Sequence, residues 1–245
     1  MFLPLLVDAI AVIVAIVIAL LLVKQNQRPL YAVLFFVVYL VARIVNQLPF
    51  LLGFFPQNLQ FNWYGHFLMI AWVLIFVWLS PLQAKDIGLT LKQRPGTVLD
   101  AVLVSIGVVV FKGGVTALFG GGASDGIPTE TLLFQITMPP LAQELLHSGL
   151  LLSLMILALG GPKEDQDFDW GQLCVLAVIV TALSHALKFG FSLDPGFQIS
   201  FFAFLTPFIG KLVYGWLRLS TGSLLFPVLA YSVSNLVVLL VQYLL

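Results

Sequence analysis

The chain reads as an all-α, polytopic helical membrane protein of about eight transmembrane helices around a polar intramembrane cavity. Three observations carry that reading. Of 245 residues, 60% are hydrophobic and only 9% are charged, against roughly 25% charged in soluble domains. Mean hydropathy is +1.07. Apolar stretches of the length a bilayer demands, about 20 residues, recur from end to end, and three of them carry polar residues at helical spacing. The 11 basic and 11 acidic side chains balance and form no basic stripe, which excludes a nucleic-acid partner and leaves membrane lipids as the general one.

The first candidate span is 2–23; its apolar run from Met1 to Val23 is longer than a signal core and is followed by Lys24 and Arg28, so it reads as retained. The second, 29–55, contains Arg43 and Asn46; Arg43 is a candidate partner for Asp8 of the first. The third, 62–83, has Trp63, Tyr64, Trp72 and Trp78 suited to an interface, and His66 reads as interfacial too. The segment 84–96 is short, amphipathic and expected at the membrane surface. After the fourth span, 97–118, the run Gly122–Gly126 matches G-x-S-x-G but lacks its strand–turn–helix setting, so it reads as a connector. The fifth, 128–160, starts or kinks at Pro139 and Pro140. Spans at 170–192, 197–218 and 222–244 complete the set, with Cys174 as a small buried hydrophobe in the first of these. Three N-terminal helices (1–83) thus precede a five-helix core (84–245). No internal repeat is evident, which disfavours an inverted-repeat transporter.

Loop charges orient the chain. Lys24 and Arg28, then Lys85, Lys92 and Arg94, then Lys163, and finally Arg218 follow alternate spans, while 56–61 has no basic residue and 119–127 only Asp125. The positive-inside rule therefore places both termini on the non-cytoplasmic side.

Glu144, inside an otherwise apolar run, is the most informative residue, because a carboxylate at membrane depth marks a functional site by default. Gln143, His147 and Ser148 accompany it in the fifth span; Ser184, His185 and Lys188 lie in the sixth; Tyr231, Ser232, Ser234 and Asn235 lie in the eighth. Gln143–His147 and Glu144–Ser148 are i,i+4 pairs and Glu144–His147 is i,i+3, so each span presents a polar stripe about one turn long. Three such stripes are cheapest when they face one another. Glu144, His147 and His185 also suit a divalent metal by ligand type; the cofactor stays open between such a metal and none. No H-E-x-x-H is present.

The stretches Pro140-Leu-Ala-Gln143-Glu144-Leu-Leu-His147-Ser148-Gly149, Thr181-Ala-Leu-Ser-His185 and Gly222-Ser-Leu-Leu-Phe-Pro227-Val-Leu-Ala-Tyr231-Ser-Val-Ser-Asn235 resemble the three motifs of the CPBP (Abi) family of type II CAAX prenyl endopeptidases and bacteriocin-processing proteins. Residues 86–90, DIGLT, resemble its short element ahead of the core. The resemblance implies a catalytic set at Glu144, His185, Asn235, Gln143 and Tyr231. In the family the first glutamate of a Glu-Glu pair and the second motif's histidine activate water, and the third motif's His and Asn hold the oxyanion. The first glutamate is Gln143 in this chain, the arginine is Ser148, and the oxyanion histidine is Tyr231. An amide cannot serve as the base, and nothing in the sequence calls for a π-bulge to bring Glu144 round. Glu-to-Gln with Arg-to-Ser removes one charge of each sign, which reads as a coherent neutralisation. The expected function is a CAAX-type endopeptidase framework with hydrolysis impaired or lost, acting on a prenylated or membrane-embedded peptide; the alternative is a non-catalytic binder of lipidated peptides or partner helices.

Overall fold

The computed structural model describes residues 2–23, 27–54, 59–120, 126–161, 172–192, 198–199 and 201–245. Residues 122–125 of the connector, Lys24, most of the acidic 161–169 loop with Lys163, and the side chains of Asp8 and Lys188 lie outside the described residues.

The described helices follow the apolar stretches closely. They are α1 (Phe2–Leu22), α2 (Pro29–Leu51), α3 (Trp63–Leu79), α4 (Val98–Phe119), α5 (Thr129–Gln143), a π-helical segment (Glu144–Leu151), α6 (Leu152–Ala158), α7 (Gln172–Gly190), α8 (Phe201–Thr221) and α9 (Leu225–Leu244). From α5 through α6 the backbone is one 30-residue rod, Thr129–Ala158, and this rod, α2, α4 and α9 are the four among the described residues long and apolar enough to cross a membrane. This is a polytopic helical membrane protein. One small departure from all-α is a two-residue antiparallel pairing, Phe191–Ser192 (β1) with Gln198–Ile199 (β2), between α7 and α8.

The long rod is central: 78% of its apolar window is buried, against 17% for α4 and for α9. Its Leu150, Leu151, Leu154 and Met155 are fully buried in one apolar cluster with Phe35 and Tyr39 of α2 and Ala177 and Val178 of α7, and Cys174 packs at the edge. Leu103, Ile106 and Val110 of α4 are exposed, as suits a lipid-facing rod. In lipid, such packing is held by close van der Waals fit and polar contacts more than by the hydrophobic effect.

Each end of the rod is tied by hydrogen bonds. At one end Glu130 accepts from the Gln60 and Phe61 amides at 3.0 and 3.3 Å and from Trp63 Nε1 at 3.2 Å. Asn62 caps α3 by accepting from the Gly65 amide at 3.0 Å while its own amide reaches the Asn46 carbonyl at 2.6 Å. His66 bonds the Asn62 carbonyl at 2.8 Å and stands edge-on to Phe134, so it organises this end of the bundle.

At the other end, residues 82–97 form a non-helical strap. Leu82 and Ile87 are buried, so the segment does not lie flat on a surface; it plugs into the bundle. Ser153 Oγ and Arg218 Nη2 donate to the Asp86 carbonyl at 2.7 and 2.9 Å, and the Leu224 amide donates to that of Gly88 at 2.9 Å. Gly88 has φ +75, and a Cβ there would lie 2.0 Å from Arg218 Nε; only glycine fits. Gly149 lets the Ile87 carbonyl approach, since its Cβ would lie 3.1 Å away.

The π-helix corrects the expectation of a regular α-helix through Glu144. Its bonds run i→i−5, as from the Leu152 amide to the His147 carbonyl. The wider turn advances about 80° per residue instead of about 100°. Ser148 then stays within about 40° of Glu144, while His147 moves about 120° away and falls in line with Gln143.

Candidate functional site

Glu144 is wholly buried at the middle of the central rod, with no exposed surface. One carboxylate oxygen accepts from Lys211 Nζ of α8 and the other from Ser148 Oγ. Lys211 also reaches the Gln143 carbonyl at 3.4 Å and is itself buried. Withdrawing two ions from water costs several kcal/mol each, which their attraction and the added hydrogen bonds offset; the pair is thus hard to break rather than strongly stabilising. The neutralisation inferred from Gln143 and Ser148 is therefore incomplete. The retained carboxylate keeps a counter-charge, supplied from α8 and not from its own helix.

Lys112 of α4 enters the same cluster. Its ammonium lies 4.6 Å from the Tyr231 ring centre and 5.4 Å from that of Tyr214, and Lys211 lies 5.2 and 5.8 Å from the same rings. The rings of Tyr214 and Tyr231 stack at 5.2 Å with 19° between planes. The Tyr214 hydroxyl donates to Ser234 Oγ at 3.4 Å. Cations over aromatic faces gain about 0.5–2 kcal/mol, which helps to hold two lysines near one carboxylate.

The histidines occupy the other face of the π-helical segment. His147 Nδ1 lies 3.1 Å from the Gln143 carbonyl. A carbonyl only accepts, so that nitrogen carries a proton. The rings of His147 and His185 meet edge-on at 4.8 Å and 82°. His185 is buried, directed into the bundle by a helix whose Thr181 and Ser184 hydroxyls are spent on main-chain carbonyls. Gln143, in line with His147, has its Oε1 buried with no hydrogen-bond donor among the described residues.

Asn235 is half-buried, and its Nδ2 donates to the Gln135 carbonyl at 2.8 Å. That carbonyl is the one Pro139 would have bonded had it an N–H. The amide thus repairs the backbone at the proline pair and fastens α9 to α5.

Of the five expected catalytic residues, Glu144 and Tyr231 share the lysine cluster, His185 meets His147, Gln143 has its side-chain oxygen buried, and Asn235 is engaged one turn before Pro139. Glu144, His147 and His185 do not fit a divalent metal: the carboxylate is committed to an ammonium that would repel the ion, and no cluster of three or more metal-binding side chains occurs among the described residues. Lys112 and Lys211 escaped the sequence reading. Their signal was present, as each is a lysine inside an apolar span.

Residues 127–237, from just before α5 into α9, match the family model of type II CAAX prenyl endopeptidase Rce1-like proteins. The match covers less than half of the chain, contains all three polar stripes, and agrees with the resemblance drawn from them. No curated protein and no solved structure matches the chain.

Proposed function

We propose that this integral membrane protein keeps the framework of a CAAX-type endopeptidase, has lost peptide hydrolysis, and uses its polar centre to hold a lipidated or membrane-embedded peptide. The observation that carries this reading is the state of Glu144: it has no exposed surface, and both its oxygens accept from Lys211 and Ser148. A general base must share a hydrogen bond with the water it activates. The residue aligned with the imidazoles is an amide, Gln143.

Cleavage of a prenylated CAAX peptide and of a membrane-embedded segment in proteoliposomes tests the reading. The wild type gives no turnover, and Gln143→Glu with Ser148→Arg restores it by placing a carboxylate on the histidine side. Wild-type turnover that vanishes in Glu144→Gln overturns the loss of hydrolysis. Bound peptide raises the melting temperature; absence of any such rise removes the binding role.

Eight passes with both termini on the non-cytoplasmic side complete the proposal. In support, Arg28, Arg94 and Arg218 gather at one end: the Arg28 amide bonds the Ala158 carbonyl at 2.9 Å, and Arg94 and Arg218 tie the strap to α8. The opposite end holds the Glu130 contacts, and a Cβ at Gly126 would lie 4.0 Å from Tyr243 near the end of α9. The positive-inside rule makes the first end cytoplasmic.

A further inference from the structure

Lys112 is a charge that neither the family's motifs nor the Glu144–Lys211 pair requires. It is 9% exposed, on an otherwise lipid-facing helix, and its ammonium points at the stacked faces of Tyr214 and Tyr231. The fold makes room for it: a Cβ on Gly210 of α8 would sit 3.3 Å from Lys112 Cε and 3.8 Å from Nζ. Three formally charged groups meet in the cluster, Lys112, Lys211 and Glu144, so two positive charges face one negative. Ring faces attract both ammoniums but cannot neutralise either. No carboxylate among the described residues forms an ion pair with Lys112, whereas Lys211 has Glu144.

We infer that Lys112 and Lys211, backed by Tyr214 and Tyr231, form a subsite for a single small oxyanion, a carboxylate or phosphate group, that supplies the missing negative charge. The inference rests on the reading of the polar centre as a ligand-holding site and adds what that ligand must present. An ammonium recognises either oxyanion as a compact charge with three donors. Glu144 limits the subsite to one negative charge, because a second anion would face that carboxylate.

The test uses the full chain in a neutral detergent, titrated with acetate and with inorganic phosphate against chloride at equal ionic strength, with melting temperature as the readout. The wild type shows a saturable rise. Lys112→Met weakens the apparent affinity at least tenfold, whereas Lys112→Arg and the exposed-strap control Lys92→Met keep it. Should Lys112→Met fail to fold, Gly210→Ala replaces it, since its methyl group crowds Lys112 and must weaken the response. Repetition in nanodiscs separates the sources. A response retained in phosphatidylcholine and pre-empted in phosphatidylglycerol assigns the subsite to a lipid headgroup; equal responses in both assign it to a soluble oxyanion. The inference is overturned if the wild type shows no saturable response, or if Lys112→Met (or Gly210→Ala in its place) responds as the wild type does. Peptide cleavage is scored separately, so renewed hydrolysis and a missing anion response are distinct failures.

Discussion

On one face of the π-helical segment, Lys211 and Ser148 hold Glu144, and Lys112 stands nearby over the same two tyrosine rings as Lys211. On the other face His147 turns toward α7, where His185 meets it edge-on. A hydrolase of the resembled family needs its carboxylate and its imidazole to address one water. In this chain the wider helical turn sorts them apart: the carboxylate goes with the lysines, and His147 points about 120° away from it.

That contrast can be broken from either side. The largest effect is expected for Lys211→Met, which strands a buried carboxylate and costs about 3–5 kcal/mol, read as loss of folded protein in detergent-solubilised thermal unfolding. Ser148→Ala removes a hydrogen bond to a charged, wholly buried oxygen and costs about 1.5–3 kcal/mol in the same measurement. Asn235→Ala returns the Gln135 carbonyl to its unpaired state beside Pro139 and costs about 1–2 kcal/mol; hydrogen exchange should rise locally at the α5–α9 contact while the strap stays protected. Smallest is Gly149→Ala, where the new methyl group meets the Ile87 carbonyl at 3.1 Å. It should loosen the strap by about 1 kcal/mol, seen as faster proteolysis within 84–96.

Much of this architecture is legible in the amino acids. The apolar runs place the rods because backbone groups in lipid must be satisfied within a helix, and the polar stripes pick the helices that converge. Two things are not legible. The π-helix is a product of tertiary packing, in a segment buried at all eight of its residues, and cannot be read from local propensity. Its nearest sequence signal, Pro139-Pro140, announces a disturbed helix without its form. The partner of Glu144 is 67 residues away, and no helical spacing points to it. Yet the rule that singled out Glu144, an ionisable group inside an apolar span, applies equally to Lys112 and Lys211. Read together, the three charges would have suggested a paired centre with one cation in excess.

The most direct test of the central claim, that Glu144 is committed to Lys211 and not to water, is a double-mutant cycle on this pair. Stability is measured for wild type, Glu144→Gln, Lys211→Met and the double variant. The predicted result is strong coupling, with the double variant losing less than either single one because no charge of the pair is left stranded. Additive losses, with the double variant the least stable of the four, would contradict the account.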